Sequence, residues 1–212
     1  MKMLIAPSIL SADFKNINGE IAQVENYSDL IHVDIMDGKF VPPTTVDSDF
    51  VKTLKTKVPL DVHLMVQEPS NDYIKGFIDA GASLITVHVE ACKSPKHQLQ
   101  FIKKHKVKAC ISLKPKTPVG DIVPYLDMVD MVLVMTVEPG WGGQKFMHGM
   151  MPKVEQLRKL RPKLNIEVDG GIDPITAPIA KKAGANLFVA GNAIFGKKDR
   201  TGAIKALKES VL

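Results

Sequence analysis

Histidine and acidic residues alternate at the ends of three apolar stretches of the sequence. The alternating residues are His32 and Asp34, Asp61 and His63, and Glu167 and Asp169. Residues two apart on a β-strand point to the same face, so each pair would project from one side of its strand. A single inward histidine is usually a core residue, but several such groups at one end of three strands predict a metal site. Its candidate ligands are His32, Asp34, His63 and Asp169.

The chemistry of these four side chains suits one divalent cation. Two imidazole nitrogens and two carboxylate oxygens are typical ligands of zinc, and iron, manganese or cobalt would also accept them. The sequence contains no contiguous metal-binding motif, so the prediction depends on the strand ends meeting in space.

Glycines mark a second feature. They fall in three segments that each follow a predicted strand: Gly140, Trp141, Gly142 and Gly143; then Gly170 and Gly171; then Gly191 and Asn192. Backbone N–H groups at glycine loops and at the start of a helix form binding sites for anions. Any one glycine pair is explained equally well by a tight turn, but three such loops on neighbouring strands favour a phosphate site.

A metal, two carboxylates and a phosphate together indicate proton abstraction beside the carbonyl of a sugar phosphate. Asp34 and Asp169 would face each other, so one could remove a proton from one face of a planar enediolate. The other would return a proton to the opposite face and invert the carbon. General acid–base catalysis supplies only ~10²–10⁴-fold, so the cation would stabilise the developing negative charge.

Other residues at the strand ends have two interpretations each. Three methionines would either fill the core or form a hydrophobic cap over the reacting atoms: Met36, Met65 and Met135. Ser8 could bind substrate or only its own turn, and Trp141 could cover the phosphate or pack. His88 and Glu90 could support the candidate ligands. The remaining histidines are interpreted as incidental: His97, His105 and His148.

Eight apolar, β-branched runs are candidates for the strands that position these groups. They are residues 4–9, 30–34, 60–65, 84–87, 108–113, 131–135, 166–168 and 187–190. Amphipathic stretches between them, such as 13–25, 70–80, 94–106 and 150–160, indicate helices and hence a parallel sheet. A strand, a helix and two loops need about 25 residues. Eight such units use nearly all 212 residues, which predicts a single (β/α)₈ TIM barrel over 1–212. A doubly wound sheet would need a glycine-rich turn after the first strand.

Composition excludes several other classes of protein. With 45% hydrophobic and 24% charged residues the chain is neither disordered nor fibrous. It has no apolar run of the ~18 residues that a membrane span needs. Its two cysteines form no CxxC motif, which suits a reducing cytoplasm. The net charge is +5, but its basic run at 103–108 has no interleaved aromatics, so we expect no nucleic-acid or membrane partner.

Five segments resemble the ribulose-phosphate 3-epimerase family. They are APSILSAD at 6–13, HVDIMDGKFVP at 32–42, LDVHLM at 60–65, VEPGWGGQKF at 137–146 and EVDGG at 167–171. The likeness runs in order through nearly the whole chain. It implies an isomerase of the pentose phosphate pathway that interconverts D-ribulose 5-phosphate and D-xylulose 5-phosphate at C3, and that forms homo-oligomers.

The resemblance also implies roles for individual residues. Asp34 and Asp169 would be the acid/base pair and, with His32 and His63, the metal ligands. Substrate contacts would come from Ser8, His63, Gly140, Trp141, Gly142, Gly143, Gly170, Gly171, Gly191 and Asn192. The chain departs from the family pattern at four places. Pro43 stands where the family commonly has Asn, Trp141 where it has Phe, and Asn192 where it has Ser. The stretch 44–49 is also unlike the usual pattern. These departures bear on substrate preference.

Three rival functions remain. One is a 3-epimerase of a ketohexose phosphate such as D-allulose 6-phosphate, which would use the same residues. A second is a phosphate-binding-barrel decarboxylase or aldol lyase. Enzymes of that group carry an Asp-x-Lys-x-x-Asp pattern in strand three. Here Asp61 is followed by His63 and Met65, without that lysine or second aspartate. The third is a barrel that binds phosphate without catalysis.

Overall fold

Eight parallel strands form a nearly closed barrel in the computed structural model, which describes residues 1–212. The strands are β1 (Leu4–Pro7), β2 (Ile31–Met36), β3 (Leu60–Met65), β4 (Ala82–His88), β5 (Lys108–Leu113), β6 (Met131–Met135), β7 (Asn165–Asp169) and β8 (Leu187–Ala190). Their order around the sheet is β1-β8-β7-β6-β5-β4-β3-β2. An isolated parallel bridge between Ser8 and His32 links β1 to β2, so the predicted barrel is confirmed.

Helices connect most of the strands. They are α1 (Ile17–Val24), α2 (Ser48–Lys52), α3 (Asn71–Asp79), α4 (Pro95–Lys104), α5 (Met151–Leu160), α6 (Ala177–Ala183), α7 (Asn192–Phe195) and α8 (Arg200–Ser210). None of them is long and apolar enough to cross a membrane. Side-chain caps fix several helix starts: Ser70 Oγ accepts the N–H of Tyr73, and Asp199 Oδ1 accepts that of Gly202.

The expectation of a helix after every strand is wrong at one connection. Between β5 and β6 the chain forms two short 3₁₀ turns, Val119–Asp121 and Val123–Tyr125. Pro118 and Pro124 flank or enter these turns, and proline lacks the N–H that a continuing α-helix requires. Both α7 and α8 follow β8, which restores the number of helices.

Strand boundaries follow the sequence pattern closely. β3, β5, β6 and β8 have the predicted bounds. The first strand is shorter than predicted, because Ile9–Ser11 forms a 3₁₀ turn in which Ser8 Oγ accepts the N–H of Leu10. β2 extends to Met36, two residues beyond the prediction, which places Asp34 inside the strand rather than at its last residue.

Apolar side chains fill both sides of the barrel wall. Outward-facing strand residues pack against the helices in one large cluster that includes Ile5, Val33, Val62 and Phe188. Inside the barrel a smaller cluster contains Ala6, Leu30, Leu84, Cys110, Met131, Leu187 and Val189. Leu30, Met131 and Leu187 lie at or just before the amino ends of their strands, whereas Asp34, His63 and Asp169 lie nearer the carboxyl ends.

Candidate active site

A cavity of about 1150 Å³ opens at the carboxyl ends of the strands. Most of the predicted site residues line it: Ser8, Asp34, Met36, Met65, Met135, Gly140, Trp141, Gly142, Gly143, Asp169, Gly170, Gly171, Gly191 and Asn192. His32 and His63 are fully buried and contact Asp34 at the cavity wall. Active sites of this fold lie at this end of the barrel.

The four candidate ligands converge on one point. Asp34 Oδ1 lies 3.3 Å from His32 Nε2 and 3.2 Å from His63 Nδ1. Asp169 comes from β7, yet one donor atom from each of the four residues lies within 4.8 Å of the others. The β2–β3 register, which pairs Asp34 with His63, explains why these two side chains are adjacent. This cluster could hold a metal ion.

The bonding of His32 tests whether a cation fits. Its Nδ1 lies 2.7 Å from Asp61 Oδ2, so the ring donates a hydrogen bond to this buried carboxylate. Its Nε2 has no hydrogen-bond partner and faces Asp34 Oδ1. A bare nitrogen beside a carboxylate oxygen repels it unless a proton or a cation lies between them. The arrangement therefore fits a bound cation.

The electrostatics of the cluster reflect how closely its acidic and basic groups are buried together. Burial alone lowers the pKa of His32, but Asp34 and Asp61 outweigh it and hold this pKa well above its usual range. Burial opposes ionisation of Asp34, yet the two histidines keep its pKa low. Burial and the Asp34 charge raise the pKa of Asp169 to about 6. Burial therefore opposes a negative charge on both carboxyl groups, and only at Asp34 do the neighbouring histidines outweigh it.

Glu167 lies beneath the cluster, inside the barrel. Burial, and next the neighbouring Asp61, raise the pKa of Glu167 well above its usual value. Neither of its carboxyl oxygens has a hydrogen-bond partner. Its closest ion-pairing group is His32 Nδ1, at 3.7 Å. Glu167 and Asp61 therefore lie behind His32, away from the cavity.

Ser8 has a partner that neither sequence interpretation included. Its hydroxyl donates a 2.7 Å hydrogen bond to Asp34 Oδ2, and it also accepts the N–H of Leu10 at 3.3 Å. Because Asp34 Oδ1 faces the two histidines, Ser8 holds the second oxygen of the same carboxylate. The serine therefore orients Asp34 as well as lining the cavity.

Thr45 supports Asp34 from the other side and was not identified from sequence. Its Oγ1 donates to the carbonyl of Asp34 at 2.7 Å and accepts the N–H of Met36 at 3.0 Å. Thr45 lies in the segment 44–49 that departs from the family pattern. Its spacing from Asp34 along the chain has no periodic meaning, so pattern reasoning had no signal for the contact.

The three methionines are buried and also face the cavity. Met36, Met65 and Met135 have side-chain exposures of 4%, 2% and 2%, and all three line its wall. Met36 and Met65 pack with Val41, whereas Met135 packs with Leu133 and Val137. They fill space and give the cavity an apolar wall, so both sequence interpretations describe part of their position.

The glycine loops pack tightly against one another. Gly170 and Gly171 have φ values of 122° and 66°, a region that favours glycine. A Cβ on Gly171 would collide with the backbone of Phe146, and one on Gly143 would lie 2.6 Å from Asn192 Nδ2. The loops after β6, β7 and β8 thus form one continuous cavity wall.

Aromatic and charged residues lie at the rim of the cavity. Trp141 is 63% exposed, so it does not pack into the core. The amide of Gln144 donates to the carbonyls of Glu138 and Trp141, which fixes this loop. His148, which the sequence interpretation set aside as incidental, lines the cavity, and Lys197, which the sequence did not single out, lines it as well.

Comparisons with known proteins identify the family. Residues 4–195 match the model of the ribulose-phosphate 3 epimerase family. A relative from Bacillus subtilis named ribulose-phosphate 3-epimerase is 47% identical and is aligned over 97% of this chain and 98% of its own. A relative from Oryza sativa subsp. japonica, named ribulose-phosphate 3-epimerase, cytoplasmic isoform, is also 47% identical, over 98% of this chain and 93% of its own.

Solved structures of other enzymes share the fold. A 3-hexulose-6-phosphate synthase superposes with a TM-score of 0.73 at 18% identity and covers 99% of this chain and 100% of its own. A 3-keto-L-gulonate-6-phosphate decarboxylase from Vibrio cholerae gives a TM-score of 0.76 at 16% identity, over 100% of this chain and 98% of its own. At these identities the likeness extends to the barrel alone.

Proposed function

The chain belongs to the ribulose-phosphate 3-epimerase family and is an isomerase, and from that premise we propose that it interconverts D-ribulose 5-phosphate and D-xylulose 5-phosphate. The observation that supports this reaction is the convergence of Asp34 and Asp169 beside His32 and His63 at one cavity. Epimerisation at C3 requires removing a proton from one face of the carbon and returning one to the other.

Asp34 and Asp169 are the proposed acid/base pair. They project from β2 and β7, which are not neighbours in the barrel order, so a flat intermediate held at the mouth would lie between two carboxyl groups. One carboxylate takes the C3 proton and leaves a 2,3-enediolate, and the other, in its acid form, delivers a proton from the opposite side. The same two residues exchange roles in the reverse direction.

We propose that His32, Asp34, His63 and Asp169 hold one divalent cation, with zinc preferred and iron, manganese or cobalt as alternatives. When bound, the cation would supply positive charge that offsets the negative charge developing on the sugar oxygens. Ser8 holds Asp34 in place by its hydrogen bond to Oδ2. The support for the cation is the partnerless His32 Nε2 in front of Asp34.

The substrate phosphate is assigned to the wall formed by the three glycine loops. Gly142, Gly143, Gly170, Gly171, Gly191 and Asn192 would supply backbone N–H groups and one side-chain amide. Trp141 on the rim would cover the bound phosphate. Met36, Met65 and Met135 would exclude water from the enediolate, which prevents its loss to side reactions.

The lyase alternative lacks support at the residues that would perform it. The solved lyases share the barrel fold alone, and at β3 this chain has His63 turned towards Asp34.

For the whole chain we propose one catalytic domain over 1–212 that works in the cytoplasm as a homo-oligomer. Size-exclusion chromatography with light scattering would measure its assembly.

Incubation with D-ribulose 5-phosphate in D₂O, followed by NMR, tests the reaction. We expect deuterium at C3 together with D-xylulose 5-phosphate. Product without deuterium at C3, or no exchange at all, would contradict proton transfer at this carbon. A parallel incubation with D-allulose 6-phosphate compares the ketohexose alternative, and a higher kcat/KM for that sugar would reverse the assignment of the substrate.

A further inference from the structure

The side chains of His88 and Glu90 form a chain of polar contacts that begins at His63. His63 Nε2 lies 2.9 Å from His88 Nε2, and His88 Nδ1 lies 3.1 Å from Glu90 Oε2. Both rings are fully buried. The sequence interpretation of His88 and Glu90 as supports for the ligands is consistent with this line, because it reaches His63 on the side opposite Asp34.

The order of these atoms determines where each ring carries its proton. A buried neutral imidazole has one N–H and one bare nitrogen. The Glu90 carboxylate only accepts hydrogen bonds, so His88 must turn an Nδ1–H towards it. His88 Nε2 is then bare and must accept a hydrogen bond from His63 Nε2–H. His63 Nδ1, which faces Asp34 Oδ1 at 3.2 Å, is left with a free lone pair.

We propose that Glu90 and His88 are positioning residues, which fix the ring tautomer of His63 so that its Nδ1 is free to bind the cation. The inference rests on the cation proposed above. Asp61 does the same for His32 by a single direct contact at 2.7 Å. Partners of this kind orient a metal-bound histidine and raise its basicity. Here a second histidine extends the reach of the carboxylate.

Neighbouring groups hold the pair in its orientation. Glu90 Oε1 accepts the backbone N–H of Lys114 at 2.6 Å, which commits Oε2 to His88. The Phe40 ring packs against His88 with a centroid distance of 4.8 Å. Lys114 Nζ lies 3.6 Å from the centroid of the same Phe40 ring. Glu90 therefore cannot rotate freely to offer His88 a different atom.

Glu90→Gln should reverse the tautomers without changing the shape of the side chain. The Lys114 N–H is a fixed donor, so the glutamine must give it the amide oxygen and turn its NH₂ towards His88. His88 then accepts at Nδ1 and donates from Nε2, and His63 is forced to carry its proton on Nδ1. Glu68→Gln is the matched control, because Glu68 Oε1 also accepts a backbone N–H, that of Lys93.

Two measurements follow this change. Ring ¹⁵N chemical shifts of metal-free, histidine-labelled protein should show the His88 proton on Nδ1 in the wild type and on Nε2 in Glu90→Gln. Competition with a chromophoric chelator should show zinc affinity at least ~10-fold weaker in Glu90→Gln and unchanged in Glu68→Gln. Circular dichroism checks folding, and His88→Phe, which keeps an aromatic ring but removes both nitrogens, should weaken zinc binding in the same way.

The outcomes separate this inference from the proposed function. If wild-type protein binds no zinc or other divalent cation, the proposed cation itself is wrong. If wild-type protein binds zinc, and both Glu90→Gln and His88→Phe bind it within about twofold of wild type, the positioning role is overturned. A wild-type His88 that carries its proton on Nε2 would also overturn it.

Discussion

The Ser8–Asp34 hydrogen bond offers a sharp test of how the site is organised. Ser8→Ala removes a 2.7 Å bond to a carboxylate whose other oxygen faces both histidines. A hydrogen bond to a charged group contributes about 1.5–3 kcal/mol. The lower end applies here because Asp34 lines the cavity, so water can replace the lost hydroxyl. A loss of about 1.5–2 kcal/mol corresponds to a roughly 10- to 30-fold change.

Steady-state kinetics decide what that change means. If Ser8 orients Asp34, kcat should fall about 10- to 30-fold while KM stays within about twofold. If Ser8 mainly binds substrate, KM should rise instead and kcat should change little. Ser28→Ala is the control, because its hydroxyl donates only to the Val24 carbonyl, near the end of α1. An unchanged kcat in Ser8→Ala would refute the orienting role.

Three further changes have expected outcomes. Asp34→Asn and Asp169→Asn should each abolish epimerisation, by at least ~10²-fold in kcat, with unchanged circular dichroism; near-normal turnover in either would contradict the two-base scheme. A strong chelator should remove activity and an added divalent cation restore it, with weaker cation binding at low pH because protons compete for the ligands; full activity after verified metal removal would disprove the cation. Gly171→Ala should lower the free energy of unfolding by at least about 1–2 kcal/mol, since φ is 66° and the Phe146 backbone blocks a Cβ; denaturant unfolding would measure this, and Gly149→Ala, where a Cβ meets no atom within 4 Å, should change it little.

The strands, and the positions of the candidate site residues on them, could be predicted because their signals are local. Continuous Val, Ile and Leu runs mark strands that are buried on both faces, and this pattern gave β3, β5, β6 and β8 with their observed bounds. The two-residue spacing of His32 and Asp34 placed both side chains on one face without any tertiary information. The glycine loops were recognisable because positive φ and close packing both require glycine at Gly170 and Gly171.

What remained beyond the sequence were the partners of those side chains. The Ser8 hydroxyl reaches Asp34, Thr45 reaches back to the end of β2, and Lys114 fixes the carboxylate of Glu90. Each contact joins residues whose separation along the chain has no periodic meaning. The register between strands decides it, and that register is set when all eight strands close into one barrel.

The sequence by itself therefore determined the fold class, the family and the set of candidate groups for the chemistry. The tertiary structure alone decided which atom of each group faces the cavity and which is held from behind. The physical reason is that residue type and local periodicity specify what a strand presents. The direction of a hydrogen bond, and hence the free nitrogen of His32 or His63, depends on neighbours that only the closed barrel brings within 3 Å of one another.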